Sequence, residues 1–340
     1  MNSMNGLEDN RPLVLDVDGT FLKTDLLFES FWAGMGQAPW ATLKATLKNF
    51  TRPAKLKSEL AGIAKIRTDL MPVNPQVADA AMEALQRGRE VSLASASNER
   101  LVEGLAREYG LSERVFASSA SKNMKGETKA RALVAAYGSG GFDYAGNAPV
   151  DKAIWAESHT ALVVGHATAA KSLMKGGKLV RSYDGGWQMR DVLRAMRPHQ
   201  WVKNVLLFLP MLAAHDFSLA SLLLVLTGIV SFSAAASSIY IINDLLDLEA
   251  DRLHVTKCNR PFASGAVPIS VGMMLSAMLG VFALAAAAWL GLAFFAVIIL
   301  YIILSLAYSL RLKRMRWIDI ATLAGLYTIR VIAGAAAIQG

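Results

Sequence analysis

The stretch from Asn243 to Gly265, NDLLDLEADRLHVTKCNRPFASG, holds the densest set of chemistry-bearing residues in the chain. At helical spacing Asn243, Asp244, Asp247 and Asp251 share one face, while Glu249 lies off it. Three carboxylates and an amide converging there repel one another unless a cation sits between them. Hard oxygen donors of this kind suit Mg²⁺, which keeps several waters and bridges carboxylates to substrate phosphates. Arg252, His254, Lys257 and Arg260 follow at once and are placed to hold outer phosphate oxygens. The bland alternative is a solvated loop of mixed charge at a membrane boundary.

A second constellation lies near the start of the chain. Asp16 and Asp18 in DVDGT end a short apolar run, and two residues apart on extended backbone they point the same way. Such a pair divides labour: one carboxylate attacks phosphorus, the other handles the leaving-group proton. Ser95 is a candidate donor to a phosphoryl oxygen, Lys129 a counter-charge beside the nucleophile, and Asp151 a ligand for Mg²⁺. DVDGT alone would also be satisfied by a plain Asp-Gly turn.

The elements that must position these residues differ in kind. Residues 1–186 carry 23 Lys/Arg against 20 Asp/Glu, and residues 187–340 carry 12 against 7. The first part reads as a charge-rich soluble domain and the second as membrane spans with basic loops. The net charge of +8 reflects that topology, and nothing points to nucleic acid. Cys258 is the only cysteine, which excludes a disulfide framework and a thiolate metal cluster. MNSMNGLEDNR lacks an apolar core, so no cleavable signal peptide is expected.

In the first part, strand-like runs at Leu13–Val17, Val91–Ala94, Val115–Ala117, Phe142–Tyr144 and Ala161–Val164 alternate with helical stretches. Those stretches are Gln76–Arg87, Asn98–Tyr109, Thr128–Tyr137 and Val150–Glu157. The rhythm predicts a doubly wound parallel sheet with its site at the carboxyl ends of the strands. Residues 25–70, helical and lysine-rich, interrupt it as a small inserted cap. Gly176–Gly177 and Gly185–Gly186 bracket an expected linker over 176–200. There Met189, Val192, Leu193 and Met196 share one helical face and Arg190, Arg194 and Arg197 the other. That pattern fits a helix on an anionic leaflet and, equally, one packed on the soluble domain.

Five spans are expected, at about 201–215, 218–242, 269–289, 291–310 and 318–338. The basic groups Arg190/Arg194/Arg197/Lys203, Arg252/Lys257/Arg260 and Arg311/Lys313/Arg314/Arg316 then fall on one side. The positive-inside rule places that side, with the soluble domain, in the cytoplasm, in keeping with a bacterial inner membrane. Lys203 and Asn204 open the first span, and Arg330 falls near mid-membrane in the fifth. An ionised residue at that depth marks a substrate site or pairs with backbone carbonyls.

NDxxDxxxD followed by NRPxxSG resembles the first aspartate-rich motif of UbiA-type intramembrane prenyltransferases. Within that superfamily, MRPHQWVKN and ADRLHVTK are most similar to decaprenyl-phosphate phosphoribosyltransferases. The resemblance, from about residue 190 onward, implies Mg²⁺-dependent transfer of a polyprenyl group from a polyprenyl (pyro)phosphate to a small acceptor, or coupling of a polyprenyl phosphate to phosphoribosyl pyrophosphate. It implies metal ligation by Asn243, Asp244, Asp247 and Asp251, and substrate binding by Lys203, Asn204, Arg252, Lys257, Arg260 and Arg330. Such enzymes have nine helices and a second aspartate-rich loop, which these 340 residues lack, and Asp319 is no substitute; the C-terminal part is therefore expected to be incomplete.

Over roughly 12–165 the motifs resemble the haloacid-dehalogenase (HAD) superfamily. That likeness implies Asp16, Asp18, Ser95 and Lys129 as catalytic residues, and Asp16, Asp18, Asn147 and Asp151 around Mg²⁺. Asn147 stands where that family usually has an aspartate, which lowers the expected metal affinity. The expectation is thus a HAD-like domain at 12–175, a linker at 176–200 and a partial UbiA bundle at 201–340. Competing readings are a membrane-anchored phosphatase and a shortened, non-catalytic membrane protein.

Overall fold

The computed structural model describes residues 10–119, 123–310, 312 and 315–339. The chain divides into two compact units, one up to Gly186 and one from Trp187.

The first unit is a six-stranded sheet: β1 Leu13–Asp16, β2 Val91–Asn98, β3 Phe116–Ser118, β4 Asp143–Gly146, β5 Thr160–Val164 and β6 Leu179–Tyr183. The strand order is β3-β2-β1-β4-β5-β6 and every pairing is parallel. Alternation sends Leu13, Leu15, Leu93, Leu162 and Val164 to the core on one face. Val14, Ala94, Tyr144, Ala161, Val163 and Trp155 go to the core on the other. Two buried faces explain why these strands read as near-continuous apolar runs.

Helices α1 Leu26–Gln37, α2 Pro39–Asn49 and α3 Pro53–Ile63 form the expected inserted cap. Asp25 caps α1, accepting from the amides of Leu27 and Phe28, and proline opens both α2 and α3 at the position that needs no N–H. The layers around the sheet are α4 Pro75–Gln86, α5 Glu99–Glu108, α6 Glu127–Tyr137, α7 Lys152–Glu157 and α8 Ala167–Lys175. Asn74 and Asn98 cap α4 and α5 through their side chains. Helix α6 begins at Glu127, one residue before the expected stretch from Thr128.

The linker expectation needs correction at its start. Residues 179–183 are not a flexible join but β6, paired with β5 over its whole length. The two glycine pairs bound a strand: Gly177 and Gly186 both take positive φ as turn residues. The exposed edge carries Arg181, a charge that discourages pairing with another chain, while the Lys178 ammonium donates to the Ala156 carbonyl. The unit ends after Gly186, not at 175.

The second unit opens with α9 Met189–Ala195, which buries Val192 and Ala195 and leaves Met189 and Leu193 exposed. A 3₁₀ segment, Pro198–Phe208, leads into the short α10 Leu209–Ala213. Among the described residues, four long helices or helical stretches are apolar enough to cross a membrane: α11 Leu219–Leu246, α13 Ile269–Leu290, α14 Leu292–Leu310, and Ile320–Ile338 within α15 Arg316–Gln339. The first expected span, 201–215, is instead the 3₁₀ segment and its short helix. Pro198 and Pro210 interrupt helical hydrogen bonding there, and Asn204 turns inward to polar partners.

Small residues let α11 pack closely. The Ser231 hydroxyl donates to the Ala283 carbonyl, and the Ser238 hydroxyl donates to that of Ser276. Gly334 of α15 faces the backbone of Leu207, where an added Cβ would come within 2.9 Å of the Leu207 Cα. Contacts of this kind replace the hydrophobic drive that is absent between helices in lipid. Arg311, Lys313, Arg314, Gly340 and Met1–Asp9 lie outside the described residues.

Candidate functional sites

In the α/β unit the expected residues converge at the carboxyl end of the sheet. Asp16 ends β1, and its Oδ1 accepts from Lys129 Nζ at 2.6 Å while Oδ2 accepts from the Thr20 hydroxyl. Lys129 also donates to the Ala94 carbonyl and to the Tyr144 hydroxyl oxygen. Asp18 accepts from the hydroxyls of Ser95 (3.0 Å) and Ser97 (2.7 Å) through Oδ2 and from the Leu26 amide through Oδ1. Asp151 accepts from the Tyr144 hydroxyl and from the amides of Asn147 and Ala148. The turn after β1 needs Gly19, whose φ is +75° and whose missing Cβ leaves room for the Asn147 side chain.

Burial raises the Asp16 carboxyl to about 7, against the opposing charge of Lys129 and reinforced by Asp151 and Asp18. Burial, then the Asp18 charge, raises Asp25 to about 7. Burial also lifts the Tyr144 hydroxyl well above its ordinary range, and Asp16 and Asp151 add to that shift. Several carboxylates thus surround one lysine. This donor set fits a divalent cation chemically, and Asn147 lies next to it as a neutral oxygen donor.

Sequence reasoning missed Ser97, Tyr144 and Asp25. Ser97 follows from β2 running on to Asn98, beyond the expected end at Ala94; residues 95 and 97 alternate onto the same side of a strand. A register shift against β3 between Ala94 and Asn98 marks the spot.

In the membrane unit the helix breaks inside the aspartate motif. α11 ends at Leu246, Asp247 sits at the junction with φ −101° and ψ 15°, and α12 Leu248–Leu253 starts anew. The single continuous face expected for 243–251 is therefore interrupted. Asp244 and Asp251, both buried, are brought together by Arg260, whose Nη1 donates to Asp244 Oδ1 at 3.1 Å and to Asp251 Oδ2 at 2.7 Å. Arg197 pairs with the same Asp244 oxygen and stacks over the Tyr240 ring. It does so from left-handed backbone, φ 54° and ψ 56°, rare for a residue with a Cβ. Arg197 is thus an inward-facing site residue and not part of an exposed cationic stripe.

The other expected residues divide. Asn243 lines a cavity of about 370 Å³, and its buried Oδ1 has no hydrogen-bond partner. Lys203 and Arg330 line the same cavity, with Tyr301 and Tyr327. Arg330 is 4% exposed; its Nε donates to Asn204 Oδ1 at 3.0 Å, its Nη1 to the Leu326 carbonyl. Its guanidinium lies over the rings of Phe232, Tyr301 and Tyr327. Asn204 is buried behind it and donates to Ser233. Arg252 Nε donates to the Ala263 carbonyl, a loop-bracing contact. Lys257 and His254 are exposed after α12, and Glu249 is exposed on it. Among the described residues no three His, Cys, Asp or Glu side chains already form a metal-holding group. The oxygen donors of Asn243, Asp244, Asp247 and Asp251 nonetheless suit Mg²⁺, and the orphaned Asn243 oxygen asks for a cation or donor.

The second unit is thus an integral membrane helical bundle with a cavity lined by cations and aromatic rings. Residues 205–340 match the UbiA prenyltransferase family. A decaprenyl-phosphate phosphoribosyltransferase of Mycobacterium tuberculosis is 41% identical over 152 residues, covering 43% of this chain and 50% of that protein. The nodulation protein NoeC of Azorhizobium caulinodans is 39% identical over 150 residues, 42% of this chain and 47% of its own. An uncharacterized Sinorhizobium fredii protein, y4nM, is 33% identical over 329 residues, 95% of this chain and 63% of that one. The chain spans less than two thirds of the length of each of these relatives. Among solved structures, a protein of unknown function from Bordetella pertussis superposes with TM-score 0.39 at 14% identity, covering 50% of this chain and 98% of that one. An apo phosphoserine phosphatase gives 0.36 at 12%, covering 51% and 93%.

Proposed function

We propose that the membrane unit binds a pyrophosphate-bearing small molecule and a polyprenyl phosphate and transfers a group between them. One observation carries this reading: a cavity in which Lys203, Arg197 and Arg330 meet the unpartnered oxygen of Asn243, beside the Asp244–Arg260–Asp251 cluster. Cations there suit phosphate oxygens, and the aromatic walls suit an apolar or ribosyl group. Likeness to the decaprenyl-phosphate phosphoribosyltransferases supports phosphoribosyl pyrophosphate as the small substrate. A lipid phosphate oxygen then bonds to the anomeric carbon, and the bond from that carbon to pyrophosphate breaks. Asn243, Asp244, Asp247 and Asp251 would hold Mg²⁺, which supplies charge neutralisation for the departing pyrophosphate. Arg197 and Arg260 keep the aspartates paired until then, and Lys203 and Arg330 orient the substrate. The positive loops support a cytoplasmic site, with Ser264 protected and Ser218 open to an impermeant thiol reagent when each is made cysteine in a Cys258→Ser background.

The test is transfer in proteoliposomes supplied with labelled phosphoribosyl pyrophosphate, decaprenyl phosphate and Mg²⁺. Absence of both Mg²⁺-dependent pyrophosphate binding and labelled lipid would reject the assignment.

A second activity is supported by the Asp16–Lys129 pair and the doubly hydroxyl-bonded Asp18. In this reading the α/β unit is a phosphomonoesterase. Asp16 forms a bond to phosphorus, the bond to the leaving oxygen breaks with Asp18 donating its proton, and water then hydrolyses the aspartyl phosphate. Asp151 and Asn147 would hold Mg²⁺ with Asp16. Asn147→Asp restores a charge there and is expected to raise Mg²⁺ affinity roughly tenfold or more, read by titration. Unchanged affinity would remove Asn147 from the site.

A further inference from the structure

Helix α2 is amphipathic in the wrong sense for a soluble cap. Its inward face is small and polar: Thr42, Ala45 and Asn49 are buried. Thr42 packs on Gly34 of α1, and Asn49 donates to Glu59 of α3 at 2.7 Å. Its outward face is large and apolar. Trp40, Leu47 and the following Phe50 are 83%, 80% and 79% exposed, with Leu43 beside them. Positions 40, 43, 44 and 47 recur at helical spacing, so they form one stripe. A helix that turns its tryptophan and leucines outward is built to cover something other than its own core.

The charge around the stripe identifies what it covers. From Ser30 to Ser58 there is no Asp or Glu, while Lys44, Lys48, Arg52, Lys55 and Lys57 occur within it. Four of these, Lys44, Lys48, Arg52 and Lys55, are exposed. Lys44 and Lys48 flank Leu43 and Leu47, where long stems lie along apolar surface and ammonium groups reach outward. A tryptophan and leucine stripe rimmed only by cations is complementary to an anionic lipid surface: rings and alkyl chains enter the headgroup boundary and the cations meet phosphate. A water-soluble partner would need an acidic rim as well as an apolar groove, and a second copy of this face would bring like charges together. The chain carries helices able to cross a membrane, so such a surface is present wherever it resides.

We propose that α2 is a membrane-docking helix, lying in the interface of an anionic leaflet with Trp40, Leu43, Leu47 and Phe50 inserted. The cap is tied to the carboxylate site: the Leu26 amide at the start of α1 donates to Asp18, and Lys57 of α3 donates to the Ala96 carbonyl of β2. Docking α2 therefore holds the Asp16–Asp18 site against the lipid surface, where its substrate would be a phosphorylated lipid headgroup. The docking stands whether or not the α/β unit is a phosphatase.

The experiment uses the full chain with Cys258→Ser and Leu47→Cys, carrying an environment-sensitive fluorophore, at one copy per nanodisc. In phosphatidylglycerol nanodiscs the emission is expected to shift to the blue and to be quenched by lipid-borne spin labels. In phosphatidylcholine nanodiscs it should be weaker, and a label at Glu108→Cys, on exposed α5, should stay water-like in both. Lys44→Glu with Lys48→Glu is expected to cut the docked population roughly tenfold or more. Trp40→Ser should weaken docking while leaving the salt dependence. A water-like Leu47 label in both lipids overturns the proposal, as does quenching that ignores both charge reversal and lipid charge. A signal that appears only with two copies per disc would instead assign the face to self-association and also overturn it.

Discussion

The two carboxylate clusters solve the same electrostatic problem by different means. At the end of the α/β sheet, Asp16, Asp18 and Asp151 are held by donors fixed in place: one buried lysine, the Thr20 hydroxyl, two hydroxyls of a strand, a tyrosine and three backbone amides. In the membrane unit, Asp244 and Asp251 are held by two long guanidinium side chains from separate segments. Donors fixed by a parallel sheet leave little room for rearrangement, whereas arginines can exchange a carboxylate for a phosphate without backbone motion. The first site is preorganised. The second is a set of replaceable partners beside an amide oxygen still unsatisfied.

Removing the counter-charge should separate the clusters most sharply. Lys129→Ala leaves Asp16 buried and unpaired, with an expected loss of about 3–5 kcal/mol from the α/β unit. Amide exchange in β1 and β2 reads it, and Asp16→Asn in the same background should recover most of it. Arg197→Ala should cost the membrane unit much less, because Arg260 still meets Asp244. Equal losses would end the contrast.

The pH dependence sharpens it further. The Asp16 carboxyl holds its proton more tightly folded, at about 7, than unfolded, at about 3.9. Its contribution is therefore fully present below about pH 4 and is lost as pH rises through 7. In chelator-treated protein the α/β unit should lose up to about 4 kcal/mol across that window. Asp16→Asn should flatten the slope; an unchanged slope assigns it elsewhere.

In the membrane unit the larger effects should be on turnover. Asp244→Asn or Asp251→Asn is expected to lower transfer about a hundredfold, near 2.7 kcal/mol. Exposed Glu249→Ala should stay close to wild type. Wild-type rates in both aspartate variants would leave Arg260 as a structural brace. Smallest is Arg330→Lys, which keeps charge but loses the planar stack on three rings and the bond to Asn204. About 1 kcal/mol of substrate affinity, near fivefold in KM, is expected.

What the sequence made legible follows from periodicity and local chemistry. Apolar runs with glycine and asparagine boundaries revealed the sheet, spacing aligned Asp16 with Asp18, and motif order with the family resemblance it carries singled out Ser95, Lys129 and Asp151. β6 escaped because LVRSY, on an exposed edge, carries no buried-strand pattern. The 3₁₀ segment escaped because hydropathy registers apolar content and not the prolines that deny it an α-helix. Arg197 was assigned to the wrong face because helical phase was carried past the end of α9 at Ala195 onto a left-handed residue. No periodicity argument anticipates positive φ at a residue other than glycine, and Arg197 matters for the pairing of Asp244.

Gly334 has a further consequence. Main chain meets main chain where α15 touches Leu207, so the position of the segment bearing Lys203 and Asn204 is set by hard-core repulsion and not by solvent. The contact is backbone on backbone and steric, so it should vary little with temperature, while the Leu207 side chain belongs to the surrounding apolar core. It works as a gauge block. Alanine, serine and valine at 334 insert shims of increasing thickness between Arg330 and its Asn204 partner, each step measurable as a graded loss of cavity affinity while the four long helices stay in place.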